Sequence, residues 1–525
     1  MSFLSWNYAL LLLSVFVLYW GLPWRGRMVL LLLSSYLFYG VWDVRFLALL
    51  MTSTAIDFYC CLGIAHQRRP LWQVLVSSST PFLWLLLCRI VMPAERAITD
   101  GILVIALVFA PVFSAVYWLP WKYGADRRAK AFMVISIVTN LSVLVSFKYF
   151  NFFAESLLAI SGKLGLSLGL VLPHIILPVG ISFYTFQSIS YAVDCHKGKA
   201  KPCEDLLTFA AYLSFFPQLV AGPIERANDL LPQFVKPVAW SAGMFHEGLR
   251  LILIGMFKKV FVGDSCAVVA NYAFGPGADL NGPWALLGAV AFAFQIYGDF
   301  SGYTDIARGS AALLGIRLNR NFLFPYFAVS PTDFWRRWHV TLSSWFRDYF
   351  YIPLGGNRSG TVRMCFNLWL TMVLAGLWHG AYWTFLLWGA YHGFLLIAYR
   401  FVPPLRWLAA RDRGAGSFPS VLVMFLFTLF GWILFRVNSL GQLEAFTLAF
   451  THWPAAAFGA TLKPALWCLL HAIPLFLWQL GTLQTLDEAA NQSWKWPVRA
   501  FAYALAFVAI ATSNTGDTQF IYFQF

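Results

Sequence analysis

Apolar runs recur along the whole chain, parted by short polar segments. They lie near residues 9–22, 28–42, 46–64, 71–91, 102–119, 131–147, 206–220, 249–262, 284–296, 366–377, 383–398, 421–435, 466–480 and 500–510. A straight helix needs ~20 apolar residues to cross a bilayer, and several of these runs are shorter, so some are read as broken or re-entrant. The pattern predicts an all-α, polytopic integral membrane protein with roughly 11–14 transmembrane helices and further interfacial or re-entrant helices. It reads as one membrane domain over residues 1–525, with N-terminal spans over 1–147, a core over 148–436 and C-terminal spans over 437–525.

Interruptions in this pattern carry more information than the runs. Residues 148–173 open with Tyr149, Phe150, Phe152 and Phe153 and continue into Glu155 and Lys163, a texture shared by an interfacial amphipathic segment and an ordinary loop. After Pro178 and Gly180, Ser182, Gln187 and Ser190 recur at roughly helical spacing with Tyr184 and other aromatics between them. Such a stripe either holds helices together or lines a cavity. Pro217, Gly222 and Pro223 break the next run, near Glu225 and Arg226. Residues 319–360 form the longest stretch without a clean span, and the aromatic end at 520–525 suits a headgroup anchor.

Composition narrows the class. The chain is 60% hydrophobic and 11% charged, against about a quarter charged in soluble domains. The net charge of +14 sits mostly in short loops, where Lys and Arg set topology and meet anionic membrane lipids. Basic residues after the first, third and fifth runs (Arg25 and Arg27; Arg68 and Arg69; Arg127, Arg128 and Lys130) place the N-terminus outside. The first run is read as a span and not as a cleaved signal, because positive charge follows it. No basic stripe suits a nucleic-acid groove, so nucleic acid is not expected as a partner. Eight cysteines without a Cys-x-x-Cys pair indicate neither a disulfide framework nor a zinc site.

Polar chemistry crowds between residues 297 and 380. Asp299, Ser301, Tyr303 and Asp305 are followed by Arg336, Arg337, Trp338 and His339, then by Arg347 and Asp348, then by Trp378 and His379. Ionisable groups at membrane depth are costly and mark function. Of nine histidines, His339 and His379 each follow a tryptophan and adjoin a break or a polar cluster, and His392 is a candidate for a supporting contact. A buried neutral imidazole can take a proton from a hydroxyl. No His-x-x-x-His or Glu-x-x-His spacing supports a metal site, so no metal is expected. Gly-x-Ser-x-Gly, the Gly-x-x-x-x-Gly-Lys loop and Gly-x-Gly-x-x-Gly are all absent. Two readings remain: direct transfer of an activated group with histidine as base, and proton-coupled transport through the same polar cluster.

At these residues the chain resembles the membrane-bound O-acyltransferases, in particular the bacterial alginate O-acetyltransferase branch. The D-alanine transferase of teichoic acid assembly is a more distant likeness. The resemblance starts at residues 35–39. It is carried by 177–183, 216–217 with 221–224, 297–303, 334–339, 342–349, 354–358, 376–380 and 431–436. It implies a ring of helices around a tunnel. His379 and His339 would be catalytic, with His379 as general base and His339 as its partner or the positioner of the acyl carbonyl, or the roles exchanged. Arg336, Arg337 and Arg347 would orient the site or meet a donor phosphate, with Trp338, Trp378 and Asp348 beside them. Asp299, Asp305 and Asp348 are expected to pair with these arginines, and Ser182, Tyr184, Gln187, Asp299, Ser301, Tyr303 and Asp305 are candidates for the tunnel lining.

The resemblance further implies no tightly bound cofactor. Acetyl-CoA would be the acyl-donor substrate, and a separate periplasmic or membrane-anchored acetyltransferase would be the partner. The acceptor would be a polysaccharide: alginate, cellulose, another exopolysaccharide or peptidoglycan. The location would be the bacterial inner membrane. Acylation of a lipid or a protein by the same family is the alternative. Residues 71–119 look longer than that branch requires, as though two spans were inserted.

Overall fold

The computed structural model describes residues 2–92, 103, 112–113, 115–166, 175–220, 222–410, 417–487, 494–513 and 520–521. Its regular structure is helical, and no strand forms among the described residues. In a bilayer, helices satisfy every backbone donor and acceptor internally. Seven helical stretches are long and apolar enough to cross: Trp24–Ile64, Leu71–Val91, Ala125–Lys148, Gly282–Leu313, Thr361–His379, Phe418–Arg436 and Ala455–Gly481. An eighth arises if Trp383–Phe401 and Pro403–Ala409, bent by 91°, form one broken span. Trp6–Gly21 and Trp496–Thr512 are shorter apolar helices. The protein is therefore a multi-pass helical membrane protein. Of the region that looks lengthened, Leu71–Val91 is helical, and residues 93–102, 104–111 and 114 lie outside the described residues.

Two compact units divide the chain. The first comprises Met1–Met244 with Ser310–Leu318. Its helices include α1 (Trp6–Gly21), α2 (Trp24–Asp43), α3 (Leu47–Ile64), α4 (Leu71–Val91), α5 (Ala125–Lys148), α6 (Phe150–Lys163) and α7 (Ile181–His196). Every residue of α3 except Met51 is buried, whereas α1 turns Leu10, Leu13, Val17 and Leu18 outward, as lipid requires. Buried Asp57 of α3 accepts hydrogen bonds from Ser136 Oγ at 2.6 Å and Asn140 Nδ2 at 2.8 Å. Those two donors sit four residues apart on α5 and so share one face. The aromatic segment after Tyr149 is helical as α6, with Ser161 its one buried residue.

Helix α7 starts at Gly180, whose φ of +74° and whose approach to the Leu219 carbonyl both exclude a side chain. Its polar stripe is buried: Lys148 Nζ donates to Ser182 Oγ at 3.3 Å, and Gln218 Nε2 to Gln187 Oε1 at 2.8 Å. Glu225, near the proline breaks, is buried at 1% exposure and does not lie at an interface with water.

The second unit comprises Phe245–Gly309 with Asn319–Phe525. Helix α8 (Ala242–Met256) runs through a π-helical segment, Phe257–Asp264, into α9 (Ser265–Phe274), and α10 (Gly282–Leu313) follows. Within this unit the two backbones nearly touch. A Cβ on Gly255 would strike Gly302 O, one on Gly263 would strike Asp299 N, and one on Gly309 would strike Gly248 O. That small-residue contact is how helices approach closely in lipid. Residues 319–360 carry the short helices α11 (Pro331–Trp335) and α12 (Val340–Phe346) and a π turn, Arg347–Tyr351. Then come α13 (Thr361–His379), α14 (Trp383–Phe401), α15 (Pro403–Ala409), α16 (Phe418–Arg436) and α17 (Ala455–Gly481). Helices α13 and α14 form a hairpin sealed by Gly376 and Gly389, each against the partner helix's backbone. Phe520 and Ile521 are buried, each 1% exposed, and so are not at the headgroups; residues 522–525 lie outside the described residues.

Candidate functional site

A cavity of about 570 Å³ opens in the second unit, lined by α11, α12, the α13–α14 hairpin and the bend into α15. His379, the last residue of α13, forms part of its wall. The helix stops there because Gly380 is extended. The imidazole is held edge to face by aromatic rings, at centroid distances of 5.0 Å to Trp378, 5.1 Å to Trp388 and 5.2 Å to Phe435. Arg336, Arg347 and Arg400 also line the cavity and are exposed. Arg400 is shared with a neighbouring cavity of about 550 Å³ that Arg406 also lines. The cavity thus joins a basic rim to a buried imidazole.

His339 takes up another position in the same unit. It caps α12 at φ +42° and ψ +55°, a left-handed conformation costing about 1–2 kcal/mol for a residue with a Cβ. Such strain clusters at functional sites. The side chain is 0% exposed, packed at 4.8 Å from the Phe300 ring and 6.0 Å from Trp378. Burial pushes its pKa down to about 3, so the imidazole is neutral at pH 7. The indole of Trp378 therefore touches both imidazoles. His339 does not line the cavity. His392 stacks on Phe334 and meets Trp388 at 4.8 Å, so it reaches His379 through an indole.

The remaining candidates scatter. Arg337 points into the protein, bonded to Asp333 Oδ1 at 2.9 Å and Leu323 O at 3.2 Å, which corrects the expectation that it joins Arg336 at a donor phosphate. Trp338 lies in a ring stack with Trp432 at 4.7 Å and Phe322 at 4.9 Å, away from the cavity. Arg347 Nε donates to Asp348 Oδ1 at 2.7 Å. Asp299 and Asp305 pair with lysines and not with the site arginines. Lys259 lies 2.8 Å from Asp299, and Lys258 2.6 Å from Asp305, which Arg308 also meets at 2.8 Å. Tyr303 stacks on Phe520 at 4.1 Å, and Ser301 is buried. Ser182, Tyr184 and Gln187 are buried in the first unit. Sequence reasoning missed Lys258 and Lys259, although two adjacent lysines inside the apolar run 249–262 were a visible signal. It also missed Asn321, which faces His339. Among the described residues no three His, Cys, Asp or Glu side chains come together to hold a metal.

This arrangement suits group transfer: imidazoles among aromatic rings, with a cationic rim where an anionic donor can dock. Comparison with known proteins defines the class. Residues 203–440 match the model of the MBOAT, membrane-bound O-acyltransferase family. The chain is 42% identical over 345 residues to the probable alginate O-acetylase AlgI of Pseudomonas aeruginosa, covering 64% of each chain. It is 37% identical over 447 residues to the protein of that name in Pseudomonas putida, covering 84% of this chain and 78% of that one. The peptidoglycan O-acetyltransferase of Helicobacter pylori is 31% identical over 439 residues, 78% of this chain and 71% of that protein. The chain belongs to the membrane-bound O-acyltransferase family. It spans just under two thirds of the Pseudomonas aeruginosa protein's length.

Proposed function

We propose that this chain is an O-acetyltransferase of the bacterial inner membrane. It takes acetyl from cytoplasmic acetyl-CoA and passes it, at the buried histidine site, to a separate periplasmic or membrane-anchored acetyltransferase. That partner O-acetylates a polysaccharide. The observation that carries this reading is His379 in the wall of a cavity whose rim bears Arg336, Arg347 and Arg400. Guanidinium groups suit the phosphates of the donor, and the cavity brings the thioester toward the imidazole. A neutral imidazole takes the proton of an acceptor hydroxyl, the oxygen attacks the thioester carbonyl, the C–S bond breaks and the thiolate recovers the proton. The names of the relatives from Pseudomonas and Helicobacter support acetyl as the group and a cell-envelope or secreted polymer as the acceptor.

The test is turnover of labelled acetyl-CoA by the detergent-purified chain, alone and with candidate partner acetyltransferases. Slow hydrolysis alone and faster transfer with a partner are expected. Consumption of a long-chain acyl-CoA in place of acetyl-CoA would move the substrate to a lipid or a protein. Absence of turnover with any acyl donor would end the reading.

A further inference from the structure

The loop from residue 319 to residue 341 folds so that Asn321 lies against His339. The main-chain oxygen of Asn321 accepts the Val340 N–H at 2.9 Å. Its side-chain Oδ1 accepts Thr341 Oγ1–H at 2.5 Å and the Thr341 N–H at 3.4 Å, and faces His339 Nδ1 at 3.3 Å. A backbone N–H can only donate. The amide atom turned toward Thr341 N is therefore the oxygen, because the reversed amide would set an NH₂ group against an N–H. The same oxygen faces Nδ1, so Nδ1 carries the proton of the neutral ring and the lone pair falls on Nε2. Nε2 has no hydrogen-bond partner among the described residues, although the ring is wholly buried.

We infer that Asn321 is a positioning residue: it fixes His339 as the Nδ1–H tautomer and leaves Nε2 as the proton acceptor of acyl transfer. This rests on the acetyltransferase reading, and it divides the roles of the two histidines. A neutral His339 in this tautomer has no Nε2–H to offer an acyl carbonyl. It takes the acceptor's hydroxyl proton at Nε2 while Nδ1–H stays on Asn321. The O–H bond breaks as the ester C–O bond forms. The C–S bond then breaks, and the proton on Nε2 passes to the sulfur. His379, in the cavity wall, is left to meet the donor.

Two measurements test this. A nitrogen NMR spectrum of histidine-labelled protein needs no turnover: His339, assigned by its loss in His339→Gln, is expected with Nδ1 protonated and Nε2 bare. A protonated Nε2 overturns the inference. Kinetics with acetyl-CoA then compare Asn321→Leu, which removes the acceptor, with Asn321→Asp, which restores it. Asn321→Leu is expected to lower kcat about 10- to 100-fold with KM little changed, the scale on which partners of functional histidines act. Asn321→Asp should recover most of that loss, and Asn321→Leu should cost nothing further in a His339→Gln background. Thr341→Val, which removes the shorter bond to the same oxygen, is expected to leave kcat within about threefold. Multiplying effects of Asn321→Leu and His339→Gln, or a loss confined to KM, overturn the assignment. Wild-type kcat in His339→Gln would remove His339 as acceptor while leaving acetyl transfer by the chain standing. Failure of the wild type to use any acyl donor would instead remove the functional reading.

Discussion

Two buried polar regions of the second unit share helix α10 and treat charge in opposite ways. Around Asp299 and Asp305, three carboxylates meet three cations. Lys259 pairs with Asp264 and Asp299, while Lys258 and Arg308 pair with Asp305. One residue along, Phe300 turns to His339, where the neighbours are rings, an amide and a hydroxyl. In the first region the opposite charges balance, so its groups are committed to each other and its role is to lock α10 against the π-helical segment. In the second, His339 is a neutral imidazole set against an amide, and it keeps a lone pair. The comparison teaches that in the buried interior it is the unbalanced neutral group, and not the paired charged one, that remains available for chemistry.

The largest effect expected is on the second region. His339→Ala should lower acetyl transfer by up to about 10⁴-fold, the upper range for a lost proton-transfer group, or roughly 5.4 kcal/mol of barrier at 1.36 kcal/mol per decade, and His379→Ala, which removes the group that meets the donor, should also lower it steeply. Thermal unfolding in detergent should shift little. Retained transfer in both variants would erase the contrast between the regions. The first region should respond the other way. Lys259→Met leaves Asp264 and Asp299 buried without their shared cation, which costs about 3–5 kcal/mol of stability. Thermal melting and size-exclusion profiles should show loss of folded protein, and Lys259→Met, Asp299→Asn together should recover part of it. A Lys259→Met protein that melts like the wild type but no longer transfers acetyl would place the lysine in the chemistry instead.

How much of this was legible in the sequence follows the same division. The crowding of Asp299 to His379 between apolar runs, the two Trp-His pairs and the break at Gly380 can be read along the chain. So can the helical membrane architecture, because span length is a property of one segment. Pairing is not. The sequence reading pairs Asp299 and Asp305 with Arg336, Arg337 and Arg347, but apart from Arg308, one turn from Asp305, their partners are set by a helix crossing, where Gly255 and Gly263 bring Lys258 and Lys259 onto α10. The glycines at 248, 255, 302 and 309 carried a seven-residue spacing that marks such a contact. Arg336 and Arg337 show a second limit. Adjacent residues on a helix turn point about 100° apart, so one lines the cavity and the other is buried on Asp333. Asn321 lies 18 residues before His339 in an irregular loop, and neither its spacing nor its residue type marks it.

The basic rim gives a smaller and more specific test. Arg400→Ala is expected to raise KM for acetyl-CoA about tenfold with kcat unchanged, the pattern of an interaction made equally in ground and transition states. The KM of the wild type should climb with salt, since exposed charge pairs are screened beyond a Debye length of ~8 Å at physiological ionic strength. Acetyl-pantetheine, which lacks the nucleotide phosphates, should be insensitive to both changes. If it responds as acetyl-CoA does, the rim serves the fold and not the donor.

The smallest expected effect lies in Asp348, the acidic neighbour of Arg347. Asp348 binds Arg347 through Nε. Their side chains are 35% and 63% exposed, and an exposed pair contributes only about 0–1 kcal/mol. Asp348→Asn should therefore leave the melting temperature within about a degree. If Arg347 meets donor phosphate, removing its competing carboxylate should lower KM for acetyl-CoA by about twofold, and the gain should vanish at high salt. A fall in kcat instead would mean that Asp348 holds the π turn, Arg347–Tyr351, in the shape the cavity wall needs. Asp348 would then resemble Lys259, committed to structure, rather than a member of a rim whose charge is kept for the donor.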